Sequence, residues 1–204
     1  MNFLTTILIL FASLMVGFFT QAQSSELPSG DEIARNINAR DEGGAVSRHL
    51  KMEMTDRHGK LRVRETRAFR KYFGDEKRTV IFYLKPKNIK DTAFLTYDYA
   101  DNARDDDQWL YLPAMRKVRR ISASDRGDYF LGTDFSYEDI KLETRVSLKD
   151  YTRKTIAEDE VDGFHCYIME ETAVDNETAE ELGYLHRESC VDDTLWIVRR
   201  STHW

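Results

Sequence analysis

The apolar residues beyond Gly43-Gly44 fall at every second position, and this period limits the fold more than any other feature of the chain. Val46, Leu50, Met52 and Met54 share one face, while Ser47, His49, Lys51, Glu53 and Thr55 share the other. Period two is the pattern of a half-buried strand. Asp56-Arg57-His58-Gly59-Lys60 then turns the chain, a long strand follows over 61–73, and Gly74-Asp75-Glu76 turns it again. Further strands are expected over 78–84, 93–99, 108–112, 117–122, 146–157, 164–174, 184–191 and 195–203. Turn signals such as Pro86-Lys87-Asn88, Asp105-Asp106-Asp107, Asp162-Gly163 and Asp192-Asp193 separate most of them. Short connections without regularly interleaved helices require antiparallel pairing.

Helices are few. Ser29 and Glu32 have capping-box spacing and Ile33 and Ile37 lie one turn apart, which predicts a short helix ahead of the sheet. Ser136 caps a second helical turn through Ile140. Such a sheet must hide one face, as a sandwich, an outer-membrane barrel, or a curved sheet over helices. The membrane barrel fails, because Arg62, Arg64 and Arg70 occupy one face of the long strand while Glu65, Arg67 and Lys71 occupy the other. An amphipathic helix followed by a meander favours a curved sheet packed on that helix.

The first 25 residues differ in kind, since Glu26 is the first ionisable side chain. The apolar run from Phe3 to Phe19 ends in Thr20-Gln21-Ala22, a small-x-small pattern suited to signal peptidase. Residues 1–22 therefore read as a cleaved signal peptide, which places residues 23–204 outside the cytoplasm as a single domain. A retained anchor is the alternative, although the run is at the short limit for a span. The 204 residues carry 30 Lys and Arg against 36 Asp and Glu, a net charge of −6. That balance supplies no general field for phosphate backbones, so no nucleic-acid partner is expected.

Chemistry leaves few marks. Nucleophile elbows, P-loops, dinucleotide fingerprints and HExxH motifs are absent from the sequence, so no enzyme activity is expected. His165 and Cys166 are neighbours on a strand and point to opposite faces. The five histidines show no ligand spacing, and neither a cofactor nor a metal is expected. In an exported chain Cys166 and Cys190 can form a disulfide, worth roughly 3.5 kcal/mol in the loop-entropy account. Two buried free thiols are the alternative. The basic run Met115-Arg116-Lys117-Val118-Arg119-Arg120-Ile121 reads as an exposed strand face.

Two segments are more informative: Gln108-Trp109-Leu110-Tyr111-Leu112-Pro113-Ala114-Met115, and the apolar loop Asp128-Tyr129-Phe130-Leu131-Gly132-Thr133-Asp134-Phe135-Ser136-Tyr137-Glu138-Asp139. A loop this apolar must dock on something or cover something. With Arg116-Lys117-Val118-Arg119-Arg120-Ile121 and Asp162-Gly163-Phe164-His165-Cys166-Tyr167, they resemble the outer-membrane lipoprotein-sorting proteins of the LolA-like superfamily. The resemblance runs from about Asp31 to Trp204. It implies a mainly β (α+β) fold: a curved antiparallel sheet forming an incomplete barrel, packed on a short N-terminal helix and closed by a lid loop or helix over an apolar cavity. It further implies a non-enzymatic periplasmic carrier of lipoprotein acyl chains or another lipid, transferred toward the outer membrane. Members of this branch are also similar to companions of inner-membrane transporters of the resistance-nodulation-division type. A structural envelope protein that binds nothing is the contrasting expectation.

The candidate lipid-binding residues are Met52, Met54, Phe69, Phe82, Trp109, Tyr111, Phe130 and Phe135. Trp109 and Tyr111 share one strand face, Leu110 and Leu112 the other, and one pair is expected to line the cavity. The loop through Gly132 is expected to lie over it, with Phe130 and Phe135 inward. The chain stops at Arg199-Arg200-Ser201-Thr202-His203-Trp204, in what reads as mid-strand, so a C-terminal truncation is expected.

Overall fold

The computed structural model describes residues 26–100 and 104–204; the expected signal peptide, residues 1–22, lies outside the described residues. Helix α1 spans Gly30–Ala39, and the Ser29 hydroxyl accepts from the Glu32 amide at 3.2 Å. That bond satisfies one orphan donor of the first turn. At Gly30 a Cβ would fall 2.7 Å from Arg153 Cβ, so only glycine lets the helix start this close to the sheet.

Among the described residues, ten antiparallel strands form two open sheets. The first is a meander of β1 (Ala45–Thr55), β2 (Leu61–Phe73), β3 (Glu76–Lys85), β4 (Ala93–Asp98), β5 (Asp107–Leu112) and β6 (Lys117–Arg120). The second has the order β10-β9-β8-β7, from β7 (Tyr151–Val161), β8 (Phe164–Ala173), β9 (His186–Asp192) and β10 (Val198–His203). The mainly β, antiparallel, unclosed architecture is the expected one, and the sheet is divided in two. Helix α2 (Tyr137–Leu142) lies between the sheets in sequence, and Ser136 and Asp139 close a full capping box at its start.

Two local expectations are corrected. The segment 146–150 is a connection, not the start of a strand, because Asn38 of α1 supplies its partners: Nδ2 donates to the Val146 carbonyl and Oδ1 accepts from the Val146 amide. An unexpected helix, α3 (Asn176–Leu182), sits between β8 and β9. Asp175 caps it, and Gly183 ends it at φ 87°. Gly127 packs against Gly183 so closely that a Cβ there would fall 2.6 Å from the Gly183 nitrogen.

Each sheet has its own core. Ile33, Ala34 and Ile37 of α1 pack on Met169 and Val191 of the second sheet and on Val146. The inner face of the first sheet contributes Tyr83, Phe94 and Leu110, which pack with Ile121, Phe130 and Tyr137 from the connection to β7. That cover lies mainly over β3 to β5 and reaches β1 at Met52 and β2 at Arg64, so open space remains beside Arg48, Leu50 and Ala68 further along the inner face.

Cys166 and Cys190 lie on adjacent strands with Cα atoms 5.4 Å apart, inside the range a disulfide spans, and are joined. Thiol labelling of unfolded, non-reduced protein is therefore expected to find no free thiol; two labelled cysteines would remove the bridge.

Candidate functional site

The open space between the sheets is a cavity of about 810 Å³. Leu50 of β1, Ala68 of β2 and Ile81 of β3 form its wall on the first sheet, and Ile140 and Leu142 of α2 and Val146 extend the apolar lining. These strand residues share a face because the registers place Ala68 opposite Ile81 and Leu50 opposite Thr66. Val198, Ser189 and His203 line it from the second sheet.

Polar groups stand at two places. Towards the second sheet, Glu171 is fully buried and accepts from Arg153 Nε at 2.7 Å and Arg187 Nε at 2.5 Å. Tyr184 donates to Asp139 Oδ2 at 2.8 Å, and burial together with that carboxylate pushes the phenol pKa well up. Burial also lowers the His203 pKa, so the imidazole beside the cavity favours its neutral form. Near β1, Arg48 pairs with Glu143, and Glu42 collects Arg70, Arg145, Thr144 and Tyr72. Burial acts to raise the Glu42 pKa, but the hydroxyl donors and the two arginines outweigh it and hold the carboxyl below its ordinary value.

The sequence candidates divide between two faces. Met52 shares the inner face and packs against the core around Phe130; Met54 follows on the same face, and neither lines the cavity. Phe130 is 2% exposed and sits inside that core, while Phe135 borders the cavity but stays 57% exposed rather than pointing inward. Phe69, Phe82, Trp109 and Tyr111 lie on the outer face. The registers align Phe69 with Val80, Leu95 and Trp109, and Phe82 with Ala93, Tyr111 and Val118, across β2 to β6. Of the Trp109/Tyr111 and Leu110/Leu112 pairs, the leucines face inward, with Leu110 4% exposed. The cavity residues Arg48, Ala68, Ile81, Arg145 and Arg187 were not singled out in the sequence. Leu50 shared the face of Met52 and Met54, the one available signal.

One group of metal-ligating side chains is formed among the described residues. Glu170 and Glu188 oppose each other on β8 and β9 with His186 beside them, all half-buried on the outer face of the second sheet. Lys154 already donates to Glu170 at 2.6 Å.

An open, two-sheet antiparallel shell around an apolar cavity is a LolA-like architecture. A LolA superfamily protein from Nitrosomonas europaea has this fold, with a TM-score of 0.59 at 16% identity over 87% of this chain and 72% of that one. A family model described as an uncharacterized protein-like family matches residues 75–204, well over half the chain, and the chain belongs to that DUF1329-type family. A DUF1329 family protein from Desulfovibrio piger ATCC 29098 is 28% identical, with a TM-score of 0.75 over 86% of this chain and 72% of that one. A domain from Vibrio parahaemolyticus described as belonging to an outer membrane lipoprotein-sorting protein is 26% identical, with a TM-score of 0.74 over 86% and 71%. No curated protein matches the chain. No helix among the described residues is long and apolar enough to cross a membrane.

Proposed function

We propose that this protein is a non-enzymatic periplasmic carrier that shields lipoprotein acyl chains, or the chains of another lipid, during transfer toward the outer membrane. The observation that carries the reading is the cavity between the sheets. Its volume, about 810 Å³, falls in the roughly 300–1,000 Å³ range of small-molecule sites, and its wall is built from Leu50, Ala68, Ile81, Ile140 and Leu142. Each buried methylene is worth ~0.8 kcal/mol, so a long acyl chain crosses water slowly unless a protein covers it. The family likeness to a lipoprotein-sorting domain supports the same reading.

A second reading, an accessory protein that exchanges lipid with an inner-membrane transporter of the resistance-nodulation-division type, is favoured by one feature. The outer face of the first sheet exposes Phe69, Phe82 and Val118 in continuous rows, a surface suited to a partner.

Protein purified from a periplasm is expected to yield bound lipid on extraction and mass spectrometry. Leu50→Glu tests the site without emptying a core, because Leu50 is 44% exposed on an edge strand. A charge in the apolar wall should weaken uptake of a fluorescent fatty-acid probe roughly tenfold or more. Purified protein that carries no lipid and takes up no probe would instead fit a structural envelope protein.

A further inference from the structure

The cavity rim near β1 carries more positive charge than its own acids neutralise. Arg40, Arg48, Arg70 and Arg145 converge on only two carboxylates, Glu42 and Glu143. The glutamate side chains are each 8% exposed and the Arg70 side chain 5%, so this cluster is largely removed from water. Arg48 and Arg145 are different, since their side chains remain 31% exposed and both line the cavity. The local hydroxyls cannot offset the excess, because Thr144 and Tyr72 donate to Glu42 and so use up acceptor positions on the carboxylate. The buried Nε of Arg70 is left without a hydrogen-bond acceptor, and that of Arg145 reaches only the Glu42 carboxylate, at 3.5 Å. Guanidinium groups in partly dry surroundings hold carboxylate or phosphate oxygens well, and an uncompensated charge there is costly.

Three further acids line the cavity: Asp134 is exposed on the loop beside Phe135, and the other two are already engaged. Asp139 is occupied by the Ser136 amide and the Tyr184 hydroxyl, and Glu171 is shared by Arg153 and Arg187. The apolar wall begins at once beside the cationic rim: Leu50 lies two residues from Arg48 on the same strand face, and Ala68 lies opposite Arg48 in the register.

We propose that the cavity selects an anionic amphiphile, with carboxylate or phosphate oxygens held by Arg48 and Arg145 and hydrocarbon laid along Leu50, Ala68 and Ile81. This rests on the carrier reading and narrows its cargo to lipids with a negative head. The two arginines meet the head at the rim, so the tail enters first and the charge stays where water still reaches it.

Competition against a bound neutral fluorophore tests the two readings separately. Palmitate, palmitoyl lysophosphatidate and uncharged hexadecanol share one tail and differ in the head. Both anions are expected to displace the fluorophore at roughly tenfold lower concentration than hexadecanol in low salt, with the advantage shrinking as salt rises. If only palmitate shows the advantage the head is a carboxylate, and if only the lysolipid shows it the head is a phosphate. In the Arg48→Gln/Arg145→Gln double variant, checked for folding by its thermal melt, charged and neutral competitors should converge. The salt dependence of the unaltered protein is read without any variant. Equal displacement by all three in the unaltered protein would overturn the anionic preference and leave the carrier reading standing, whereas failure of all three to displace would overturn both.

Discussion

Glu171→Ala is expected to cost about 3–5 kcal/mol, enough to unfold much of the population of an ordinary domain. Glu171 is fully buried between two arginines whose side chains are 0% and 8% exposed, Arg153 and Arg187. Removing the carboxylate leaves both guanidinium groups without their counter-charge, but unequally. Arg153 keeps the Tyr151 and Ser147 carbonyls and the more distant Asp31. Arg187 keeps the face of the Tyr151 ring at 4.2 Å, and its Nη2 already lacks an acceptor. The cost therefore falls mainly on Arg187, and Glu171→Leu combined with Arg187→Met should recover much of the loss. Urea unfolding followed by circular dichroism reads the three proteins side by side. A single variant as stable as the parent would show that the triad contributes no net stability.

The sequence pattern disclosed strand identity better than strand covering. Alternation placed Met52 with Met54, and Trp109 with Tyr111, on common faces, as the registers have them. It could not say which face of β5 would be dry, because Leu110 and Trp109 are comparably apolar. Phe130 and Tyr137 settle that choice, since they arrive from a distant loop and cover the leucine side. The inward arginines show a related limit. Alternation put Arg64 and Arg70 on one face but not their partners: Arg64 donates to the Leu131 carbonyl and Arg70 binds Glu42 and Glu143. Pairing across long separations is invisible to a local period. Helix α3 was missed because Asn176–Leu182 has no apolar repeat, although Asp175 before it and Gly183 after it were legible start and stop signals. The cavity was legible only through the family resemblance, because its walls come from two sheets that are not paired with each other and from the α2 segment between them in sequence.

Phe130→Ala is likewise expected to cost about 3–5 kcal/mol, the range for truncating a core phenylalanine. The sequence put Phe130 in a loop over the cavity, whereas its side chain lies in the first-sheet core and does not line the cavity. Its ring lies 4.9 Å from Phe94, 5.2 Å from Tyr137 and 6.3 Å from Tyr83, which makes it the plug of the first-sheet core. The backbone around it is tied as firmly: the Phe130 amide donates to the Phe135 carbonyl, Thr133 Oγ1 donates to the Phe130 carbonyl, and Arg64 holds Leu131. A loop anchored in this way does not swing open without disrupting the core beneath it. The part able to cover the cavity is the stretch after it, where Phe135 borders the cavity while remaining 57% exposed. Phe135→Ser should therefore change stability by less than about 1 kcal/mol, since exposed substitutions away from special features are usually mild. It should still weaken uptake of a fluorescent fatty-acid probe. Measured together by urea unfolding and probe titration, the two variants separate plug from cover. A Phe130 variant as stable as the parent, or a Phe135 variant that takes up the probe unchanged, would contradict this division of roles.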